Sequence, residues 1–172
     1  MEKRLRFPIV KGPASHHLYF RASVDGIKAM TPSVMASLSF TITCTNCGKQ
    51  YPNFRINPSD ALYEEDNNEE EDKKRKFMQT CSECNKLLTL EVVDDRHENT
   101  FPDYSKWCQF MSVDLQGCRI DVIGCDSWKI ISNSDTEYEW DSQSNFSHYD
   151  EKLDLPIGIS DLDFVVRSAK QI

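Results

Sequence analysis

Two short cysteine motifs carry the clearest chemistry in this sequence. Cys44-x-x-Cys47 is followed by Gly48, and Cys81-x-x-Cys84 is followed by Asn85. Such a motif places two thiolates on one metal ion because the chain turns tightly around it, and the residue after the second cysteine favours a positive φ, which glycine and asparagine tolerate best. Two such motifs predict one Zn²⁺ per chain, bound by Cys44, Cys47, Cys81 and Cys84.

The same donor set argues against catalysis at the metal. Four thiolates saturate Zn²⁺, whereas a catalytic zinc keeps one position open for water. A thiol oxidoreductase would use one exposed CxxC at a helix N-terminus, and here both motifs adjoin strand-like runs. We therefore expect a structural site in a protein that is not an enzyme. The alternative is a protein that exchanges metal or performs thiol redox chemistry with the same CxxC pairs.

The remaining polar candidates are weaker. Cys108, Cys118 and Cys125 do not pair at CxxC spacing, so we expect buried thiols that pack as small hydrophobic side chains. His148 with Asp150 and Glu151 could form an acid–base group, but no neighbouring nucleophile is evident, so an exposed or capping polar cluster is the favoured interpretation. The pair His16-His17 is expected in a solvated tail and His97 in a surface linker.

A long charged insertion separates the two motifs. Seven of the nine residues from Glu64 to Asp72 are acidic, and Lys73-Lys74-Arg75-Lys76 follows at once. Such a segment buries too little apolar surface to offset its ordering entropy, so the sequence predicts a surface loop over residues 63–76. A solvated insertion is the favoured interpretation, and recruitment of a basic partner or contact with nucleic acid are the alternatives.

Composition narrows the class of partner. The 172-residue chain has a formal net charge of −8, and a Zn(Cys)4 centre would change it by −4 + 2 to about −10. This charge disfavours nucleic acid as a partner, because phosphate binding needs a basic face. No segment approaches the roughly 20 apolar residues of a membrane span. We expect a cytoplasmic monomer, with the nucleus as an alternative compartment, that binds zinc and an unidentified protein partner.

Hydrophobic periodicity predicts a mainly β fold. Apolar and polar residues alternate in several segments, and Asp25-Gly26 and Gly117 mark turns between them. The first CxxC directly follows one such segment and the second directly precedes another, so both metal-binding turns are expected at strand ends. The predicted strands cover residues 18–24, 38–43, 88–92, 111–115, 120–123 and 128–131.

Similar patterns in the two halves suggest two small β-rich units and an internal duplication. Ser23-Val24-Asp25 and Ser112-Val113-Asp114 occupy equivalent positions in the first strand of each half. The polar stretch from Asp94 to Pro102 supplies a boundary between them. The predicted organisation is an N-terminal extension at 1–17, a zinc-binding β domain at 18–97 and a metal-free β domain at 98–172.

The chain resembles the eukaryotic CXXC-motif-containing zinc-binding protein family from about Leu18 to Val166. The resemblance rests on the two CxxC motifs and on segments before and after them, which are Ala29-Met30-Thr31-Pro32, Tyr149-Asp150-Glu151-Lys152 and Ile157-Gly158-Ile159. It implies a β-rich fold with two similar halves and zinc in the first. We expect a non-enzymatic intracellular zinc-binding protein that serves as a protein-interaction module.

Overall fold

The computed structural model describes residues 4–5, 15–33, 35–57, 63–64, 76–95 and 100–169. The predicted acidic loop lies mostly outside these residues, as does His97. The described residues form fourteen strands: β1 (Arg4–Leu5), β2 (His16–Asp25), β3 (Ile27–Pro32), β4 (Leu38–Cys44), β5 (Gln50–Ile56), β6 (Tyr63–Glu64), β7 (Lys76–Thr80), β8 (Leu87–Asp95), β9 (Cys108–Gln116), β10 (Cys118–Cys125), β11 (Trp128–Ser132), β12 (Glu137–Trp140), β13 (Phe146–Asp150) and β14 (Leu155–Ser168).

The mainly β prediction is confirmed, and every strand expected from periodicity is present. The 14-residue β14 was not predicted. Its alternation is interrupted by a bulge between Ser160 and Asp163, where Asp161 has a φ of 57°. A bulge shifts the side chains that follow it to the opposite face, so a period-two search does not recognise the strand as one element. Among the described residues there is no helix of the length and apolarity that crossing a membrane requires.

The strands pair in antiparallel order in four sheets. The largest has the order β13-β14-β2-β9-β8-β7, and two three-stranded sheets have the orders β10-β4-β5 and β12-β11-β3. The fourth is the short pair β1-β6. Each of the three larger sheets therefore contains strands from both sides of the predicted boundary at residues 97 and 98. β4 pairs with β10, β3 with β11, and β2 with β9.

The topology repeats itself within the chain. When β2, β3, β4, β5, β7 and β8 are matched in order with β9 to β14, the β2–β9 pairing maps onto itself and every other pairing of the larger sheets maps onto a second pairing of those sheets. The hairpins β4–β5 and β7–β8 thus have counterparts in β11–β12 and β13–β14. The turns at Gly117 and Gly26 are counterparts as well, with φ values of 73° and 72°.

An aromatic cluster forms the centre of the core. Phe20 on β2 lies 5.0 Å from Trp128 on β11 and 5.7 Å from Phe110 on β9, measured between ring centroids with edge-on geometry. Edge-to-face pairs are favoured because the positive ring edge meets the negative ring face. The contact between Phe20 and Trp128 packs the six-stranded sheet on the sheet that contains β11, and the contact between Phe20 and Phe110 joins two strands within the six-stranded sheet.

A second set of rings connects the six-stranded sheet with the other three-stranded sheet. Phe54 on β5 stacks on Phe77 of β7 with centroids 4.2 Å apart, and on Phe40 of β4 at 5.4 Å. The hairpins β4–β5 and β7–β8 are therefore in contact along their sides before any metal is considered.

The turn at Gly117 leaves no room for a side chain. A Cβ atom there would lie 2.5 Å from the carbonyl oxygen of Leu87, and the φ of 73° already disfavours other residues. Gly48 has a φ of 82° but no atom within 4 Å of the equivalent Cβ position. Substitutions at Gly117 and Gly48 therefore distinguish the cost of a steric clash from the cost of backbone strain.

We expect Gly117→Ala to lower the free energy of unfolding by about 3 kcal/mol or more, since left-handed strain and a backbone clash add. Gly48→Ala should cost only about 1 kcal/mol from strain. Urea denaturation of both variants measures the difference. Equal losses would show that the close approach to Leu87 is relaxed easily.

Candidate metal centre

Each CxxC motif forms the turn of a β-hairpin. Residues 44–49, the first knuckle, connect β4 to β5, and residues 81–86, the second knuckle, connect β7 to β8. The two turns have the same backbone hydrogen bonds. The first cysteine donates to the carbonyl five residues later, at 2.9 Å and 2.8 Å, and its own carbonyl accepts from the N–H four residues later, at 2.9 Å in both.

The residue after each second cysteine has the expected conformation. Gly48 has a φ of 82° and Asn85 a φ of 63°. Both values lie in the left-handed region, which confirms the prediction made from residue type. Since the local geometry repeats, each knuckle presents its two sulfur atoms in the same way.

The structure brings all four predicted cysteines together. Sγ of Cys44 lies 3.6 Å from Sγ of Cys84, and Sγ of Cys47 lies 3.5 Å from Sγ of Cys81. All four sulfur atoms are within 4.8 Å of one another. Tetrahedral zinc with Zn–S bonds of about 2.3 Å requires sulfur–sulfur separations of roughly 3.8 Å, so the donor set fits Zn²⁺.

The two knuckles belong to different sheets. The first closes the sheet β10-β4-β5, and the second lies at the β7–β8 edge of the six-stranded sheet. A metal ion bound by all four sulfurs would therefore connect the two sheets at their hairpin tips.

Tyr51 on β5 reaches across to the second knuckle. Its hydroxyl accepts a hydrogen bond from the N–H of Ser82 at 2.9 Å and donates to Sγ of Cys81 at 3.4 Å. A hydrogen bond to a metal-binding atom fixes its orientation and tunes its basicity. Tyr51 thus aligns one knuckle from the opposite hairpin.

The turn at Gly117 supports the first knuckle. The carbonyl oxygen of Gly117 accepts from the N–H of Thr45 at 3.0 Å and from its hydroxyl at 3.1 Å. The same turn lies against Leu87, which follows the second knuckle. The β9–β10 turn therefore contacts both hairpins beside the sulfur cluster.

Hydrogen bonding lowers the pKa of two of the thiols. The Tyr51 hydroxyl, with backbone N–H groups of the second knuckle, lowers the pKa of Cys81 to about 6 against the opposing effect of burial. The side chain of Asn46 and the N–H of Lys86 lower the pKa of Cys84. These contacts favour the thiolates that a metal ion requires.

The pKa of Cys47 moves in the opposite direction. A backbone hydrogen bond from Lys49 lowers it, but burial and the three neighbouring thiols outweigh that contact and raise it to about 12. Four negative charges cannot accumulate in so small a volume without a cation, so the last proton stays until a metal replaces it. Metal binding at this cluster must therefore release protons.

The cluster is only partly enclosed. Cys44 and Cys81, the first cysteines of the two motifs, are 1% and 0% exposed, whereas Cys84 is half-buried and Cys47 is exposed. One side of the sulfur cluster consequently faces solvent.

The other three cysteines are buried, as predicted. Cys108, Cys118 and Cys125 all belong to the hydrophobic core. Burial raises the pKa of Cys108 and of Cys118 to about 11 each. Within the described residues, the four CxxC cysteines form the single group with the geometry of a metal site.

A hydrogen-bonded cluster occupies the position that corresponds to the metal centre in the other set of hairpins. The β11–β12 turn contains Ser132 and Ser134, and the β13–β14 turn begins at Asp150. The hydroxyl of Ser134 donates to Oδ2 of Asp150 at 2.6 Å, and Oδ1 accepts from the N–H groups of Lys152 and Leu153 at 3.0 and 3.2 Å. Here a carboxylate joins the two turns.

The supporting turn is repeated at this second position. The N–H of Asn133 donates to the carbonyl of Gly26 at 2.9 Å, just as Thr45 donates to Gly117. Asp150 is 1% exposed. Hydrogen bonds from the hydroxyls of Ser134 and Ser132, then from the backbone, lower its pKa. Asp150 is thus a capping carboxylate, and the interpretation of this segment as a capping cluster is confirmed for it.

His148 and Glu151 are both exposed. The ring of His148 lies over Phe146, with centroids 4.7 Å apart, and Asp150 is engaged with Ser134 instead. The three residues of the acid–base hypothesis therefore do not converge on one another.

The expectation for the two adjacent histidines needs correction. His16 and His17 are the first residues of β2 rather than tail residues, and Nδ1 of His17 lies 2.8 Å from the Ser112 hydroxyl. Trp128 and Trp140 are buried in the core, and Trp107 is half-buried.

Sequence reasoning missed the contacts made by Tyr51, Thr45 and Gly117. Tyr51 is close to the first motif in sequence, yet it contacts the second knuckle. Gly117 was recognised as a turn, but its contact with Thr45 spans 72 residues. No local pattern reports such contacts, because they depend on the pairing of distant strands.

Comparison with known proteins agrees with this site. Residues 17–167 match the model of the eukaryotic CXXC motif containing zinc binding proteins. The chain belongs to this family. Zinc binding by the chain is therefore supported by its family and by the cysteine cluster together.

Solved structures show the same fold. A hypothetical protein from Plasmodium falciparum has a TM-score of 0.70 at 18% identity, covering 90% of this chain and 100% of its own. The crystal structure of C1orf123 has a TM-score of 0.70 at 15% identity, covering 90% of this chain and 99% of its own. Comparison with curated proteins finds no match.

We expect Tyr51→Phe to weaken zinc binding by about tenfold, since the Cys81 thiolate loses a hydrogen bond and the N–H of Ser82 loses its acceptor. Competition with a chromophoric chelator measures the affinity. Tyr149→Phe, which removes an exposed hydroxyl on β13, is the control and should bind zinc normally. Unchanged affinity in Tyr51→Phe would mean that the hydroxyl does not position Cys81.

We expect Asp150→Asn to lower the free energy of unfolding at neutral pH. We also expect this free energy to fall less steeply in the variant as the pH is lowered. A carboxylate with a lowered folded-state pKa stabilises the fold above its unfolded pKa of about 3.9, and this contribution disappears as pH falls through the folded pKa. Denaturation at a series of pH values from about 7 to 2 tests this. The exposed substitution Asp141→Asn is the control. If the free energy of unfolding of Asp150→Asn falls with decreasing pH as steeply as that of the parent chain, Asp150 does not contribute to the pH dependence of stability.

Proposed function

We propose that the four cysteines bind one structural Zn²⁺ per chain in a non-enzymatic cytoplasmic protein that works as a monomeric protein-interaction module. The observation that carries the metal role is the location of the two knuckles in different sheets. A closed Zn(Cys)4 centre at this position would act as a cross-link between the two hairpins at their tips, in addition to the hydrogen bonds that Tyr51 makes with Ser82 and Cys81.

The metal-free counterpart supports a structural role. At the equivalent junction, Ser134 and Asp150 join two hairpin turns by hydrogen bonds alone. Because the same joint is made there by groups that do no metal chemistry, a joining role is sufficient to account for the cysteines. Four thiolates also leave no coordination position for a substrate.

The interaction role rests on composition and surface. Seven cysteines without a predicted disulfide framework suit a reducing compartment. The exposed large apolar side chains among the described residues are Met35, Met78, Leu87, Val122, Tyr149 and Leu155. Because a metal ion with four thiolate ligands has no free position for a substrate, we place partner binding on the protein surface rather than at the metal.

A second candidate is metal exchange or thiol redox chemistry. The exposure of Cys47 favours it, because an incoming ligand or oxidant could approach this sulfur from solvent. The two functions differ in what happens to the fold when the metal leaves.

We expect protein purified without added metal to contain one zinc per chain by elemental mass spectrometry. Its four cluster thiols should resist alkylation until the protein unfolds, and a chelator should lower the melting temperature, because metal-binding energy at a structural site is folding energy. Rapid zinc loss with disulfide formation and an intact fold would instead support the exchange or redox function.

Cys81→Ser should lose zinc and reduce the free energy of unfolding by more than about 3 kcal/mol. Cys108→Ala removes a buried thiol outside the cluster and should cost only about 1 kcal/mol. A Cys81→Ser variant as stable as Cys108→Ala would contradict the structural role.

A further inference from the structure

The outer face of the six-stranded sheet carries a cluster of aromatic and arginine side chains. On β2, Leu18 and Phe20 are fully buried, so the alternate residues Tyr19 and Arg21 lie on the opposite face. Arg167 on the neighbouring β14 pairs with this part of β2, and Trp107 immediately precedes β9 on the other side. We call this set, Tyr19, Arg21, Trp107 and Arg167, the Arg–Trp face.

The two guanidinium groups stack on aromatic rings. Cζ of Arg21 lies 4.3 Å from the ring centroid of Trp107, and Cζ of Arg167 lies 5.9 Å from the same ring and 5.4 Å from the ring of Tyr19. Stacking holds a guanidinium in a defined orientation and leaves its N–H edge free to donate. The face therefore presents two oriented arginines rather than two mobile ones.

The charges on this face are incompletely balanced. Arg21 pairs with Asp163 at 3.6 Å, in a bridge whose side chains are 48% and 57% exposed. Arg167 is exposed and has no ion pair within the described residues. Two guanidiniums near one ring repel each other unless an anion lies between them. Asp161 and Asp163 both line the pocket beside Arg21, so the cation of this face that has no ion-pair partner among the described residues is Arg167, in a chain whose net charge is −8.

We propose that the Arg–Trp face binds an acidic peptide segment of a partner protein, with carboxylates on Arg21 and Arg167. The proposal rests on the proposed function as an interaction module and names the chemistry of its partner. Oriented guanidiniums match carboxylates in bidentate geometry, and Trp, Tyr and Arg are the residue types that dominate binding energy at protein interfaces.

The stacking also favours a peptide over single-stranded nucleic acid. Nucleic-acid platforms use open aromatic faces on which bases stack. Here Arg167 lies over the ring of Tyr19, and both arginines lie over that of Trp107. The accessible groups are the guanidinium edges, which recognise carboxylates directly.

The test uses the zinc-loaded full chain and a fluorescein-labelled octaglutamate peptide at low ionic strength, followed by fluorescence anisotropy. We expect saturable binding that weakens with added salt. Arg167→Gln should reduce the affinity about fivefold and the double variant Arg21→Gln/Arg167→Gln about tenfold or more. Lys28→Gln is the matched control, since Lys28 is an exposed cation on β3 paired with Asp135.

Four outcomes would overturn the proposal: no saturable binding, equal loss of affinity in Lys28→Gln and the double variant, tighter binding of an octathymidine strand than of octaglutamate, or undiminished binding by the double variant. Zinc content and melting temperature are measured on every variant. Both should be unchanged, so failure of this surface and failure of the structural metal site are distinguishable. Undiminished binding by the double variant would place the acidic peptide elsewhere and leave an interaction role in place.

Discussion

The junction between hairpins of different sheets is the constraint on which this structure depends. β-Sheets hold their own strands together through backbone hydrogen bonds, but nothing in that ladder fixes one sheet against another. Side-chain packing supplies most of this contact through the rings around Phe20 and through the stack of Phe54 on Phe77. At the tips of the hairpins, turn residues with polar or metal-binding side chains add to this contact.

The molecule makes this connection twice, with different chemistry. At one junction four sulfurs converge within the distance that a single metal ion spans, and at the other Asp150 accepts hydrogen bonds from both turns. In each case the neighbouring glycine turn supplies a carbonyl to the adjacent knuckle or turn. The repetition of the supporting hydrogen bonds shows that the junction is a property of the topology, and that the joining groups can change while the backbone frame stays the same.

The two junctions respond differently to their surroundings. A thiolate cluster needs a cation, since the pKa of Cys47 rises to about 12 when the other three sulfurs are close. The carboxylate of Asp150 is satisfied by hydroxyl and N–H donors, which lower its pKa. The first junction therefore needs a cation to balance its thiolates, whereas the second is balanced by hydrogen bonds alone, and both requirements follow from the charge that each group carries.

The sequence by itself determined the four cysteines of the candidate metal centre and much of the secondary structure. CxxC spacing and the following Gly48 or Asn85 define a knuckle locally, and alternation of apolar residues defines the strands of which one face is buried. The bulged β14 was missed because its alternation breaks at Asp161. Only the tertiary structure placed the knuckles in different sheets and set Tyr51 against Cys81. It also placed Asp150 beside Ser134 and Arg167 over Tyr19. These contacts depend on which strands pair across long stretches of chain, and pairing is decided by the packing of the whole core rather than by any local pattern.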